Sequence, residues 1–253
     1  MHKTFFVAAT LIACCLEAHA EDFAFAYPPP SNASAMKTVS LWSTQYLIHS
    51  AQAKPPSPDT VELKRRDGTG FGIHLQRRDW CNAVMEGTVS VAQNNTISTF
   101  NVDGLQDEEQ TDCSFMFHHT EPAVLKRLGR QVFTEVKGAR IYGLGTNGFR
   151  LVPYRTVAVD QSKFAPGTVF FIPGLRGKQI RLPAGNTVSH DGYVFAGDKG
   201  GSIKNNHIDF FTGIEKSNPA PGIITSKSTR TFRAYVVTDQ VIVSELKSLH
   251  LKK

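Results

Sequence analysis

The second half of the chain is a run of short strand-like segments cut by glycine and proline. "RTVAVD" (155–160), "GTVFFIP" (167–173), "KQIRLP" (178–183), "YVFAGD" (193–198), "HIDFF" (207–211) and "TFRAYVV" (231–237) are rich in β-branched and aromatic residues. Turn signals recur roughly every dozen residues, a spacing that argues for a barrel or a sandwich. The fold class is therefore mainly β. At 253 residues the chain is one large all-β domain or two small ones, long enough to bury a core.

The first twenty residues stand outside that pattern. "MHK" is a short basic start, "TFFVAATLIACC" an apolar stretch and "AHA" at 18–20 an A-x-A cleavage site, so residues 1–20 read as a signal peptide. The apolar stretch is too short to span a bilayer. "LIAC" at 11–14 also looks like a bacterial lipobox, which would place a lipid anchor on Cys14. Losing Lys3 and Glu17 with the signal leaves the net charge of +6 unchanged.

Export leaves Cys81 and Cys113. In an oxidising compartment such a pair reads as a disulfide, the alternative being two buried thiols. No Cys/His spacing of the zinc type occurs, and His118–His119 reads as a surface doublet. Neither a metal nor an organic cofactor is expected. The basic residues are scattered, densest at Lys64-Arg65-Arg66 and Arg77-Arg78, with no basic helix carrying interleaved aromatics. Nucleic acid is therefore not the expected partner, and an anionic wall polymer fits an exported basic protein better.

Residues 21–37, with three consecutive prolines, have the composition of a linker or extended arm. "TVSLWSTQYLIHSA" (38–51) reads as a strand. "RDWCNAVMEG" reads as a short helix, "TVSVAQ" and "TISTFNV" as strands around "NN", and "CSFMFHH" as another strand. "DGLQDEEQTD" is an acidic loop, "EPAVLKRLGRQVF" suggests one or two amphipathic turns, and "VIVSELKSLHL" (241–251) a terminal helix.

Chemistry concentrates on three aspartates. Asp160 ends one strand segment, and "GDKGGSIKNNHIDFF" supplies Asp198 and Asp209, eleven residues apart around Gly200 and Gly201. Taken singly, each reads as a turn cap. Asp209, however, lies between Ile208 and Phe210, where desolvation would raise its pKa, and an ionised Asp198 nearby would push it further. A G-x-S-x-G elbow, an H-E-x-x-H helix and a Walker loop are all missing.

The segment "VAVDQSKFAPGTVFFIPG…GYVFAGDKGGSIKNNHIDFFTG" resembles the 3D (Asp-Asp-Asp) domain, with its ordered aspartates, double glycine, lysine and eleven-residue gap, over about 154–213. Within that group it is similar to the membrane-bound lytic murein transglycosylase A family. The resemblance implies a six-stranded double-psi β-barrel with Asp209 as acid/base catalyst and Asp198 and Asp160 as its acidic companions. "STQYLIHSA" (43–51) is similar to the opening barrel strand of that group, with Thr44 and Tyr46 in matching places. Residues 38–51 and 139–240 would then form the barrel, 52–138 an inserted β-rich subdomain, and 241–253 a C-terminal helix or tail. The other division makes "GARIYGLG" (138–145) the opening strand and 38–135 a separate N-terminal module. Thr44, Tyr46, Gly200, Gly201 and Lys204 are implied on the substrate side. Gln161, Ala165, Lys199 and Asn205 depart from the family pattern, Asn205 standing where a glycine is usual, and the loop around 174–190 is longer.

The activity implied is lytic cleavage of peptidoglycan glycan strands in the periplasm or outside the cell. Protonated Asp209 would donate to the oxygen between N-acetylmuramic acid and N-acetylglucosamine, and its carboxylate would take the C6 hydroxyl proton as a 1,6-anhydro end closes. Two other classes share the barrel. One is an expansin-like module that binds or loosens the wall without cutting it. The other is a two-carboxylate hydrolase, whose acid and base stand about 6.5–9.5 Å apart to seat a water.

Overall fold

The computed structural model describes residues 25–137, 142–182, 185–214 and 216–251. The proposed signal peptide, Cys14 and the whole of "GARI" (138–141) lie outside them. Six strands close a barrel in the order β1 (Thr38–Tyr46), β13 (His207–Phe211), β8 (Thr156–Val159), β12 (Tyr193–Asp198), β9 (Val169–Phe171) and β14 (Phe232–Val236). β1 runs parallel to β13 and antiparallel to β14, which closes the ring. Leu41, Val157, Val159, Phe170, Val194, Ala196, Ile208, Phe210 and Ala234 fill the interior. Since side chains alternate across a strand, His207, Asp209 and Phe211 stand on the outer face, as do Trp42, Thr44 and Tyr46 of β1.

Between β1 and β8 the chain builds a second lobe. Here β2 (His49–Gln52), β5 (Thr88–Gln93), β6 (Thr96–Leu105) and β7 (Gln131–Val136) form a four-stranded sheet in the order β2-β5-β6-β7. The hairpin of β3 (Thr60–Lys64) and β4 (Gly70–Gln76) and the helices α1 (Arg77–Glu86) and α2 (Pro122–Leu128) complete it. Trp80, Leu63, Leu75, Val89, Phe100 and Phe133 form its core. Cys81 and Cys113 are joined by a disulfide with Cα atoms 5.7 Å apart. In the chain-entropy picture a bridge across 32 residues stabilises by about 3–4 kcal/mol.

Some expectations change. The apolar run 38–51 is two strands: β1 stays in the barrel, Leu47 and Ile48 cross over, and β2 joins the second sheet. "CSFMFHH" is a turn because Cys113 is held by the disulfide and its carbonyl accepts the N–H of Met116. Residues 142–145 contribute no barrel strand, only a bridge from Leu144 to Arg150, so β1 is the opening strand.

The proline-rich arm, expected as a linker, is docked over its described residues 25–37. Arg155 is fully buried and makes a double ion pair to Asp191, at 2.6 and 2.7 Å. Phe25 covers the guanidinium 4.1 Å from the ring centre, and the Tyr27 N–H donates to Asp191 Oδ2. The long loop at 174–190 carries a hairpin of β10 (Gln179–Arg181) and β11 (Thr187–Ser189). At the C-terminus α3 (Gln240–Leu251) packs Ile242 and Leu246 against Phe195 and Val169 outside the barrel.

Candidate active site

The register across four strand positions assembles the site. Thr44 on β1 pairs with Asp209 on β13, Asp209 pairs with Ala158 on β8, and Ala158 pairs with Asp198 on β12. Asp209 and Asp198 thus flank a small alanine two strands apart, about 9–10 Å between backbones. The last pairing depends on a bulge. Ala196 faces Val157, the register shifts, and Asp198 instead of Gly197 faces Ala158. Without the extra residue Asp198 would point into the barrel; with it, Asp198 joins Asp209 on the outer face. Gly197 suits that place, because a Cβ there would stand 3.1 Å from the side chains of both Phe195 and Thr156. Gly145 is likewise required, since its Cβ would meet the Gly197 carbonyl at 2.3 Å.

Asp209 is half-buried, and Thr44 Oγ1 donates to its Oδ1 at 2.5 Å. Burial pushes its carboxyl up to about 6, the Thr44 hydrogen bond pulls it back, and the charge of Asp198 raises it again. Asp198 also rises to about 6 by burial, opposed by the Tyr46 hydroxyl at 2.8 Å, the Lys199 N–H at 2.8 Å and the Lys199 charge. Tyr46 is held well above its ordinary value by burial and then by Asp198, so its hydroxyl is a fixed donor.

Thr44 has a second contact, His207 Nε2 at 2.8 Å. With its only proton given to Asp209, Thr44 must accept there, which makes Nε2–H the donor. The His207 ring lies flat against Trp42, centroids 3.6 Å apart and 7° from parallel, and burial lowers its pKa. Trp42, His207 and the Gly197 bulge escaped sequence reasoning. The period-two sets 42/44/46 and 207/209/211 carried a signal for the first two.

Asp160 stands apart from this pair. Its Oδ1 accepts the N–H and hydroxyl of Ser162 at 3.0 and 2.7 Å, and its Oδ2 accepts the Asn205 N–H at 2.8 Å. Those bonds, Ser162 first, hold its pKa below the usual carboxylate value. It ties down the loop of Gly200, Gly201 and the exposed Lys204. Asn205 has φ +58°, the left-handed conformation that glycine adopts most readily and that asparagine tolerates. A Cβ on Gly200 would meet Ile203 at 2.6 Å, whereas Gly201 has open space. Tyr46 packs against Phe211 with ring centres 5.1 Å apart.

A barrel that presents ordered aspartates on its outer wall defines the class. Residues 155–229 match the 3D domain family model, and this span contains all three aspartates. The chain carries a 3D domain. Its fold is similar to that of Escherichia coli MltA with bound chitohexaose, at TM-score 0.50 and 16% identity over 78% of this chain and 71% of that one. Matches also include MltA from Neisseria gonorrhoeae (TM-score 0.44, 10% identity, 79% and 71% covered). A membrane-bound lytic murein transglycosylase from Agrobacterium tumefaciens matches at TM-score 0.42 and 14% identity, with 83% and 75% covered. No curated protein matches the sequence.

Proposed function

We propose that this protein is a lytic transglycosylase of peptidoglycan, with its barrel of the double-psi type and Asp209 as the single acid/base group. The observation that carries the reading is Asp209 itself: half-buried, beside a second carboxylate, and raised to about 6. Such a group holds a proton in mildly acidic solution and releases it readily. Asp209 protonates the glycosidic oxygen, so the bond to C1 of the muramyl sugar breaks and the departing sugar keeps the proton as a hydroxyl. The Asp209 carboxylate then takes the proton of the C6 hydroxyl while its oxygen bonds to C1. The acid is regenerated and no water is consumed. Asp198, once ionised, supplies negative charge to the oxocarbenium-like transition state. Tyr46 positions Asp198, Thr44 positions Asp209, and Asp160 positions the glycine loop and Lys204. The E. coli structure with chitohexaose supports a glycan ligand. The disulfide fits an oxidising envelope compartment, and among the described residues no helix is long and apolar enough to cross a membrane.

The test is digestion of purified sacculi by the wild-type protein and by Asp209→Asn, with mass spectrometry of the soluble fragments. Anhydro-ended fragments are expected, reduced at least 10²-fold by the substitution, the usual scale of a general acid. Reducing ends would make the protein a hydrolase, and bound but intact sacculi would make it a wall-loosening module. Equal release by Asp209→Asn would remove Asp209 from the chemistry.

A further inference from the structure

Trp42 and His207 have no part in the chemistry proposed above. They are register partners, Trp42 on β1 opposite His207 on β13, and two residues further along the same strands Thr44 faces Asp209. At about 3.3 Å per residue the indole stands about 6–7 Å along the barrel wall from the candidate acid. It is not part of a core. Leu41 and Ser43, before and after it, are fully buried, whereas Trp42 is half-buried. It packs into none of the four hydrophobic clusters, although Tyr46 on the same face packs against one. Ser40 and its register partner Arg233, next on that face, are exposed, so the wall beyond the indole is open to solvent.

His207 fixes the ring from behind. Its imidazole is buried and lies 3.6 Å from the indole, 7° from parallel. Its Nε2 is held by Thr44 Oγ1 at 2.8 Å, and Thr44 in turn holds Asp209. One indole face is thereby covered, and the exposure that Trp42 keeps lies on the opposite face and the rim. The ring is in place before a ligand arrives, so little side-chain entropy is left to lose on binding. A lone exposed apolar side chain is ordinary on a protein surface. One held flat by a buried histidine, which shares its threonine with the candidate acid, is not. β-1,4-linked sugars of the gluco configuration carry their ring substituents equatorially, so each pyranose presents faces of C–H groups. A rigid indole offers a broad apolar surface that matches such a face while the sugar hydroxyls stay in water.

We propose that Trp42 is a sugar platform: its open indole face stacks on a pyranose ring of an N-acetylated β-1,4-glycan, the ring adjoining the bond that lies over Asp209. This rests on the glycan reading above and adds to it the residue that seats the strand on the barrel wall. The same arrangement gives His207 its place, as the backing that keeps the platform flat beside the acid.

The chain has two tryptophans, and the other, Trp80, is fully buried in the core of the second lobe. Emission that a solute in solution can reach therefore belongs to Trp42. Titration with chitohexaose, followed by tryptophan emission, acrylamide quenching and calorimetry, tests the platform on the wild-type protein, Trp42→Phe and Trp42→Ala. Near-ultraviolet circular dichroism and denaturant unfolding check that the variants are folded. In the wild type, saturable binding is expected to change the emission and to shield it from acrylamide. Trp42→Phe, which keeps a ring against His207, is expected to show neither change. Trp42→Ala is expected to bind chitohexaose about tenfold more weakly, the scale of one aromatic contact. Calorimetric binding that leaves Trp42 open to acrylamide, or wild-type affinity in folded Trp42→Ala, would overturn the platform and leave the glycan reading standing. No chitohexaose binding by the wild type would overturn it too. Shielding of Trp42 in a protein that releases no anhydro fragments from sacculi would keep the platform and remove the transglycosylase reading.

Discussion

Thr44 has one proton to give, and it gives it to Asp209. That leaves Asp209 Oδ1 occupied as an acceptor, and in the proposed reaction Oδ2 is the oxygen that would deliver the acid proton. The same bond stabilises the carboxylate, while Asp198's charge opposes it, so the two neighbours tune the acid in opposite directions. The fall of kcat/KM on the alkaline side is expected near pH 6, since the proposed reaction needs Asp209 protonated and burial raises its carboxyl to about 6. Thr44→Val removes a bond that lowers the pKa and should move that fall to higher pH. Asp198→Asn removes a charge that raises it and should move the fall to lower pH. Profiles on soluble glycan fragments read both shifts, and a shared direction would show that the couplings are misassigned.

The bulge on β12 and the break between β1 and β2 are the two irregularities that make a site out of regular strands. The bulge turns Asp198 outward, and the break sends the chain into the second lobe directly after Tyr46. Each is a local departure from strand pairing whose cost is met by packing around it. Gly197→Ala places a methyl 3.1 Å from Phe195 and Thr156. It should cost about 1–3 kcal/mol as an overpacked position and lower activity with it, as Asp198 loses its register. Denaturant unfolding and glycan cleavage measured on the same preparation test this. Unchanged stability with unchanged activity would mean that the bulge absorbs the methyl.

The whole molecule holds two opposite pH dependences. His250 and His190 are buried and kept neutral, with pKa values brought down to about 3 and 4, chiefly by burial. His250 donates Nδ1–H to the Leu246 carbonyl and stacks on Phe195. The unfolded chain protonates such histidines near pH 6.5, so their stabilising contribution is whole above that pH and is lost as pH falls below it. Asp198 and Asp209 act in reverse. Their folded pKa values of about 6 exceed the unfolded value, so their contribution is whole below about pH 4 and lost as pH rises to about 6. The doubly substituted Asp198→Asn, Asp209→Asn protein should therefore be more stable than wild type at pH 7, by about 1–3 kcal/mol after allowing for solvent screening. That gain should vanish by pH 4, and the variant should lose stability steadily on acidification. Tm measured from pH 4 to 8 for both proteins shows whether the two trends separate.

Short strands, glycine and proline breaks and an acidic, glycine-rich hairpin between Asp198 and Asp209 are local properties, and local properties are visible in a chain read in order. Hence the mainly β class, helix α1, the terminal helix α3 and the raised pKa of an aspartate between Ile208 and Phe210 could all be anticipated. The even cysteine pair could be read as a bridge for the same reason. What could not be anticipated depends on which strands become neighbours. Thr44 and Asp209 are 165 residues apart and meet only because β1 and β13 pair in parallel. Asp198 shares their face only because one glycine slips the register. Asp160, equal to the other two in the linear pattern, turns to Ser162 and Asn205 instead. Composition and periodicity act within a few residues, whereas register and closure are settled by packing across the whole chain, and the site is made by the latter.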